Sequence, residues 1–442
     1  MSGKDVRTMK GYKLPEDLLF GTATASLQIE GGDRNNNWYQ FCEQGRTKDG
    51  SHCIIADDHW NRYEEDIAII KEMNQQLYRM SLEWSRLEPT EGCFDEEAIS
   101  HYRSELSLLH ENGIRPLVTL HHFSHPLWFE NMGGWENPRS VECFLRYTEK
   151  AVLSLGDLVA EWVTINEPNV YLEGAYSSGS FPPHKVSLEA YFKGLKRMAI
   201  AHIKAYRAIH RIRKESGYDG ETLVGFAKHV RVFDTMSGGI LPKLSRGLVD
   251  YSFNTITFEA MINGRFIFPI GCGNYPYGKG KFCDYLGLNY YTRDMIGFTW
   301  KLTRVFADIT VRDGAQLNDM GWEIYPEGLY ILCKKYYEAY GLPVFITENG
   351  ICDGSDNKRA RFIYDHLEQV KKLREDGVDV RRYYHWSLLD NFEWEFGLTP
   401  KFGLVEVDYR TQKRTIRDSG RFYAEISRSR AVTEDMADKY IR

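Results

Sequence analysis

Between Leu18 and Leu388 the chain alternates short apolar or β-branched runs with longer segments of helical period, and this alternation restricts its fold more than any other feature. Strands joined by helix-length crossovers build a parallel sheet, because only antiparallel neighbours can be linked by a tight turn. Eight runs qualify as strands: 18–26, 77–84, 114–122, 162–166, 223–229, 285–291, 344–347 and 382–388. Eight is the number at which such units close on themselves, so the expected fold is α/β, a single (β/α)8 barrel.

The connecting segments carry apolar stripes at helical spacing. Trp60, Tyr63, Ile67, Ile70 and Met73 form one; Tyr191, Leu195, Met198, His202, Ala205 and Ile209 a second; Phe362, His366, Leu367, Val370 and Leu373 a third. Stripes of this kind press helices onto a sheet, so His202 and His366 are read as packing residues and not as catalysts. No linker divides the chain. The Gly/Pro-rich stretch 269–280 is an insertion before the sixth strand and 433–442 a short terminal helix or tail, which leaves residues 1–442 as one catalytic domain.

A net charge of -6 and a pI near 6.2 give no reason to expect nucleic acid or an anionic membrane as a partner. Residues 1–16 lack the apolar core of a secretory signal, and no apolar run reaches bilayer length, so a cytoplasmic protein is expected. Cys42, Cys53, Cys93, Cys143, Cys272, Cys283, Cys333 and Cys352 fall at irregular intervals without a CxxC pair. They read as reduced thiols, with neither a zinc site nor a disulfide framework.

Barrel enzymes carry reactive side chains at the C-terminal ends of their strands. Glu167, within Thr164-Ile165-Asn166-Glu167-Pro168, ends the fourth, and Glu348, within Ile346-Thr347-Glu348-Asn349-Gly350, ends the seventh. A lone glutamate in such a place is most often solvated or ion-paired. Here each has a flanking amide, Asn166 or Asn349, and a turn residue, Pro168 or Gly350. Two carboxyls held across a small gap, one ionised and one protonated, cleave glycosidic bonds; a gap of about 5–5.5 Å gives retention and about 6.5–9.5 Å inversion. His121 and His122 do not suggest a metal pair, because adjacent strand residues face opposite ways.

The ordered motifs resemble glycoside hydrolase family 1, the β-glucosidase and β-galactosidase group, over nearly the whole chain. They run from Phe20-Gly21-Thr22-Ala23-Thr24-Ala25-Ser26 and Gln28-Ile29-Glu30-Gly31 through Tyr78-Arg79, Trp84-Ser85-Arg86 and Thr119-Leu120-His121-His122. Residues 162–169, Gly287-Leu288-Asn289-Tyr290-Tyr291, 320–328, 346–350 and 386–409 continue them. The resemblance implies Glu167 as general acid/base and Glu348 as nucleophile of a retaining double displacement, with Arg79, Tyr291 and Asn289 in the catalytic group. Arg79 and the Tyr291 hydroxyl should keep Glu348 ionised, while burial and the like charge of Glu348 should keep Glu167 protonated. Gln28, His122, Asn166, Glu393 and Trp394 match the hydroxyl-binding set, Trp386 the stacking platform and Trp322 the wall beside the leaving group; Phe402 joins the sugar-binding residues. No cofactor and no metal are implied.

Family members acting on 6-phosphorylated sugars place serine, lysine and tyrosine where this chain has Glu393, Pro400 and Phe402. The expected substrates are therefore unphosphorylated small-molecule β-glycosides or oligosaccharides, cleaved from the end by a β-glucosidase with β-galactosidase or β-fucosidase side activity. Glu167 argues against the sulfur-glycoside branch, which has glutamine there. A transglycosidase using the same site is the alternative, and a non-catalytic carbohydrate-binding member would be expected to lack one of the glutamates. Phe123-Ser124-His125-Pro126, where many members have Asp-Leu-Pro, alters the loop after strand three on the leaving-group side.

Overall fold

The computed structural model describes residues 9–301 and 306–441. Its centre is a closed ring of eight parallel strands: β1 (Leu19–Ala23), β2 (Leu77–Ser81), β3 (Arg115–His121), β4 (Glu161–Asn166), β5 (Leu223–Thr235), β6 (Leu286–Phe298), β7 (Val344–Asn349) and β8 (Val380–Trp386). Each pairs with the next in sequence, and β8 returns to β1 with Tyr383 opposite Phe20. Closure covers both faces of each strand, and β2, β4 and β7 are buried along their whole lengths.

The outer helices follow the stripes. Leu188–Ser216 begins where the Ser187 side chain accepts the Ala190 N–H, and ends at Gly217 in the left-handed region, φ 67. All six residues of its stripe are buried; in His59–Glu72, Ile67 and Ile70 are buried while Trp60 and Tyr63 are half-buried. His202 Nδ1 lies 2.7 Å from the Thr164 hydroxyl, and burial takes it down to about 4. His366, in Arg359–Glu375, donates Nδ1–H to the Phe362 carbonyl at 2.8 Å, and burial takes it down to about 3. Both are neutral packing residues, as their spacing predicts.

Three strand ends differ from the sequence reading. β7 runs on to Asn349, so Glu348 lies inside the strand. β5 and β6 continue beyond His229 and Tyr291: after a register shift at Val230/Val232, Val232–Thr235 pairs with Arg293–Ile296, and Ala307–Thr310 adds an antiparallel strand to β6. The extension is held by pairing between segments distant in sequence, which local periodicity does not report. Residues 269–280 form turns, with Phe266 bridged to Asn274. The chain closes with helix Glu434–Tyr440, whose Tyr440 packs on Phe422 at 5.5 Å and donates to Glu425 at 2.6 Å. Among the described residues no helix is long and apolar enough to cross a membrane.

Candidate active site

The C-terminal ends of β4 and β7 bring Glu167 and Glu348 to one cavity of about 210 Å³. Glu167 is the first residue after β4, and its φ of 40 is left-handed, which is uncommon for a residue with a side chain and marks a site that the surroundings over-determine. Its N–H is tied to the Ala227 carbonyl at 2.7 Å, and its own carbonyl accepts from Val170 and Tyr171 as Pro168 starts a short helix. After β7 the chain needs glycine, because a Cβ on Gly350 would lie 1.8 Å from the Trp386 carbonyl oxygen. Both motifs are thus forced turns out of strands.

One hydrogen-bond network joins the two carboxyls. Arg79, from the middle of β2 and fully buried, donates to Glu348 Oε1 at 2.5 Å and to Asn166 Oδ1 at 2.7 Å. The Tyr291 hydroxyl donates to Glu348 Oε2 at 2.6 Å. Asn289 Nδ2 donates to Glu167 Oε1 at 2.8 Å and to Asn166 Oδ1 at 3.1 Å, and is itself held by the Thr347 hydroxyl on its Oδ1 at 2.6 Å. Every residue expected in the catalytic group is in this network.

The expected sugar-binding residues gather beside it. His122, Asn166, Trp322, Trp386, Glu393, Trp394 and Phe402 line the cavity, and Gln28 reaches Glu393 Oε2 from behind at 3.2 Å. Asn166 Nδ2 donates to His122 Nε2 at 2.8 Å, which puts the imidazole proton on Nδ1. That N–H and Gln28 Oε1 are buried without a protein partner, so each has hydrogen-bonding capacity for a ligand. Burial, with Glu395 and Glu348 nearby, pushes Glu393 well above the carboxylate range. His121 faces away from His122, packed among Trp135, His125 and Tyr171.

Burial is the largest influence on both central carboxyls and raises each. For Glu348 it prevails over the Arg79 ion pair, with the charge of Glu167 adding to it, and the group is pushed up to about 7. Arg79 and Tyr291 pull it down as expected but are outweighed. For Glu167 the balance runs the other way from expectation: His229, Asn289 and Arg79 overcome burial and draw it down. Carboxyls so coupled titrate as a pair, and the seat of the shared proton depends on His229. Arg231 donates its Nε–H to His229 Nε2 at 2.9 Å. A guanidinium only donates, so Nε2 is a lone pair, Nδ1 carries the proton and the ring is neutral. Burial likewise disfavours its charged form. A neutral ring removes the cationic part of the pull on Glu167. Glu348 then has a guanidinium in direct contact, while the hydrogen-bond donors to Glu167, His229 and Asn289, are neutral.

Sequence reasoning missed His229, Arg231, Glu173 and Phe181, which also line the cavity. His229 had a signal: it closes the fifth strand as first read, at the end where functional residues sit. Among the described residues the one His/Cys/Asp/Glu group compact enough for a metal is Cys42, His52 and Cys53, with ligand atoms within 4.8 Å of one another, outside this cavity. There His52 Nδ1 already accepts the Ile54 N–H at 3.0 Å and Nε2 lies 3.1 Å from Glu43, so both ring nitrogens are engaged.

The sequence model of glycosyl hydrolase family 1 matches residues 10–232 and 279–432. Beta-glucosidase A of Thermotoga maritima is 32% identical, the match covering 96% of this chain and 100% of that protein. A beta-galactosidase of Pyrococcus woesei is 29% identical over 97% and 99% of the two chains. Among solved structures, the beta-glycosidase from Pyrococcus horikoshii superposes with a TM-score of 0.89 at 37% identity, covering 97% of this chain and 98% of that one. The Thermotoga maritima beta-glucosidase in complex with glucoimidazole gives 0.86 at 30% identity, over 95% and 99%.

Proposed function

The chain belongs to glycosyl hydrolase family 1 and is an O-glycosyl hydrolase of β-glycosides, and we propose that it is a retaining, exo-acting enzyme for terminal, unphosphorylated β-D-glycosyl residues, with β-glucosides preferred. The observation that carries this reading is the asymmetric pair: two carboxyls on one cavity, Glu348 bonded to Arg79 and Glu167 to neutral donors. Glu348 attacks the anomeric carbon while Glu167 passes its proton to the departing glycosidic oxygen, leaving a glycosyl ester on Glu348 and a carboxylate at Glu167. Esterification removes the neighbouring negative charge, so Glu167 has become the base; it takes a proton from water as water attacks the anomeric carbon and releases the sugar and Glu348.

The exo mode and the sugar preference rest on the group around Gln28, His122, Glu393 and Trp394, where unpaired buried polar atoms await ring hydroxyls. Glu393 accepts from the 4- and 6-hydroxyls, which suits gluco and galacto epimers, so β-galactosidase and β-fucosidase side activities accompany the main one. A 6-phosphate would meet the Glu393 carboxyl in place of a cation, at a cost of several kcal/mol. The eight cysteines, all free thiols, support action in a reducing cytoplasm.

The test is Glu348→Ala. Hydrolysis of an aryl β-glucoside should fall by at least about a thousandfold, since a covalent step is lost, and azide or formate should restore turnover with an α-configured product. Full activity in the variant, or a β-configured azide product, would end the proposal.

A further inference from the structure

Glu167 can donate its proton from either oxygen, yet the two are in different surroundings. Oε1 accepts from Asn289 Nδ2 at 2.8 Å and from His229 Nδ1 at 3.1 Å, while Oε2 meets no donor among the described residues. His229 sits on β5, its ring stacked on Tyr291 at 5.7 Å and edge-on to Phe253 at 5.9 Å. Arg231, two residues along the strand, donates to His229 Nε2 and is anchored in turn on Asp294 Oδ2 of β6 at 2.9 Å. Asp294, Arg231, His229 and Glu167 thus form one unbroken chain from the β5–β6 extension to the carboxyl. On the acid/base reading of Glu167 given above, we propose that His229 is a positioning residue: locked by Arg231 in its neutral Nδ1–H tautomer, it clamps Oε1 together with Asn289, so that the transferable proton is carried on Oε2.

The chemistry follows from donor counting. A proton on Oε1 would point into two N–H groups, whereas Oε2 is free to carry it. The same clamp serves the second half of the cycle, when the Oε1 of a carboxylate is stabilised by two donors and Oε2 offers its lone pair to water. Arg231 is needed because the other tautomer would turn a nitrogen lone pair toward Oε1, and because an imidazolium would hold Glu167 as a carboxylate with nothing to donate. Asp294 balances the guanidinium charge. The other charged and titratable groups packed around this chain are Arg79, Glu348, Glu393 and Tyr291 toward the cavity, Glu173 beside Arg231, and Lys228, which burial holds well below the usual lysine range and whose Nζ donates to the His229 carbonyl and Asn254.

The test compares two substrates and three variants. 2,4-Dinitrophenyl β-glucoside leaves without a proton; phenyl β-glucoside needs one. His229→Leu should lower kcat/KM on the phenyl substrate by about tenfold more than on the dinitrophenyl substrate, a part of the roughly hundred- to ten-thousandfold that acid catalysis supplies. It should also move the alkaline limb of the phenyl profile upward, because a donor to the carboxylate is gone. His229→Asn, which places an amide N–H at the same δ position, should recover most of both effects. Arg231→Met should move the ionisation of the His229 ring to higher pH, because a guanidinium that opposes its charged form is gone. Equal losses on the two substrates, an unmoved alkaline limb, or no recovery with asparagine would overturn the proposal. The underlying reading has its own control: Glu167→Ala with azide should yield the β-glycosyl azide from the dinitrophenyl substrate, and its absence would remove the acid/base role itself and not the role of His229 within it.

Discussion

Replacing Tyr291 by phenylalanine removes one hydroxyl and leaves the ring where it is, stacked on His229 and edge-on to Trp322 at 5.9 Å. That hydroxyl donates to Glu348 Oε2 at 2.6 Å, while Arg79 retains the other oxygen. A hydrogen bond to an ionised group contributes about 1.5–3 kcal/mol, and one pKa unit corresponds to about 1.4 kcal/mol, so Tyr291→Phe should raise the pKa of Glu348 by about one to two units. The sign is fixed: a donor to the charged form lowers the pKa, its loss raises it, and the proposed mechanism needs Glu348 charged. The acidic limb of kcat/KM should therefore move to higher pH by that amount, above neutrality, given that burial already pushes Glu348 up to about 7. The assay is the pH profile of kcat/KM for an aryl β-glucoside in both proteins, with melting curves to show that the fold is kept. An acidic limb that stays in place or moves down would refute the view that Tyr291 acts by holding Glu348 ionised.

Combining Glu393→Ser, Pro400→Lys and Phe402→Tyr exchanges a buried carboxyl for a phosphate-binding set; the ratio of kcat/KM for aryl 6-phospho-β-glucoside over aryl β-glucoside should rise at least about a hundredfold, equivalent to about 3 kcal/mol, and an unchanged ratio would count against Glu393 as the residue that selects unphosphorylated sugar. His59 is buried between Asp66 at 2.8 Å and Glu105 at 3.0 Å; burial opposes its charge, but the two carboxylates prevail and raise it to about 10. Its stabilisation is thus complete below the unfolded value of about 6.5 and lost as pH climbs through about 10. His59→Gln should cost about 3–5 kcal/mol in denaturant melts near neutrality and much less at the alkaline end, and an equal cost at both would show the imidazolium is not the source.

The barrel was legible because parallel strands covered on both faces must be near-continuous apolar runs, and all eight were found, six of them within a few residues of their ends and β5 and β6 short of theirs. Glu167 and Glu348 were legible for a related reason: a polar residue that follows such an apolar run, with a proline or glycine one or two positions on, stands at the barrel mouth. The protonation pattern was not. It depends on a ring tautomer, and that tautomer is set by Arg231, on the part of β5 that runs beyond the barrel and pairs with β6 about sixty residues later in the chain. His229 and Glu167 meet across two strands, and nothing in the spacing of either motif announces it. Cys42, His52 and Cys53 escaped notice in the same way, since they assemble from a helix and a loop without a ligand spacing to read.

Arg79 explains why the two carboxyls behave as a unit. It is a fully buried guanidinium, in contact with Glu348 directly and with Asn166, which shares Asn289 with Glu167. A buried cation stripped of its counter-charge costs about 3–5 kcal/mol, so the fold requires about one negative charge near Arg79 at all times. The proposed cycle keeps that count. In the free protein the charge is on Glu348 and the proton on Glu167; in the glycosyl ester Glu348 is neutral, and Glu167 has given its proton to the leaving group and holds the charge. The negative charge changes residue without leaving the field of Arg79, and the clamp on Glu167 Oε1 keeps its new site as well supplied with donors as the old one. Retention through a covalent ester is thus the chemistry that a buried arginine between two carboxyls accommodates without exposing its own charge at any step.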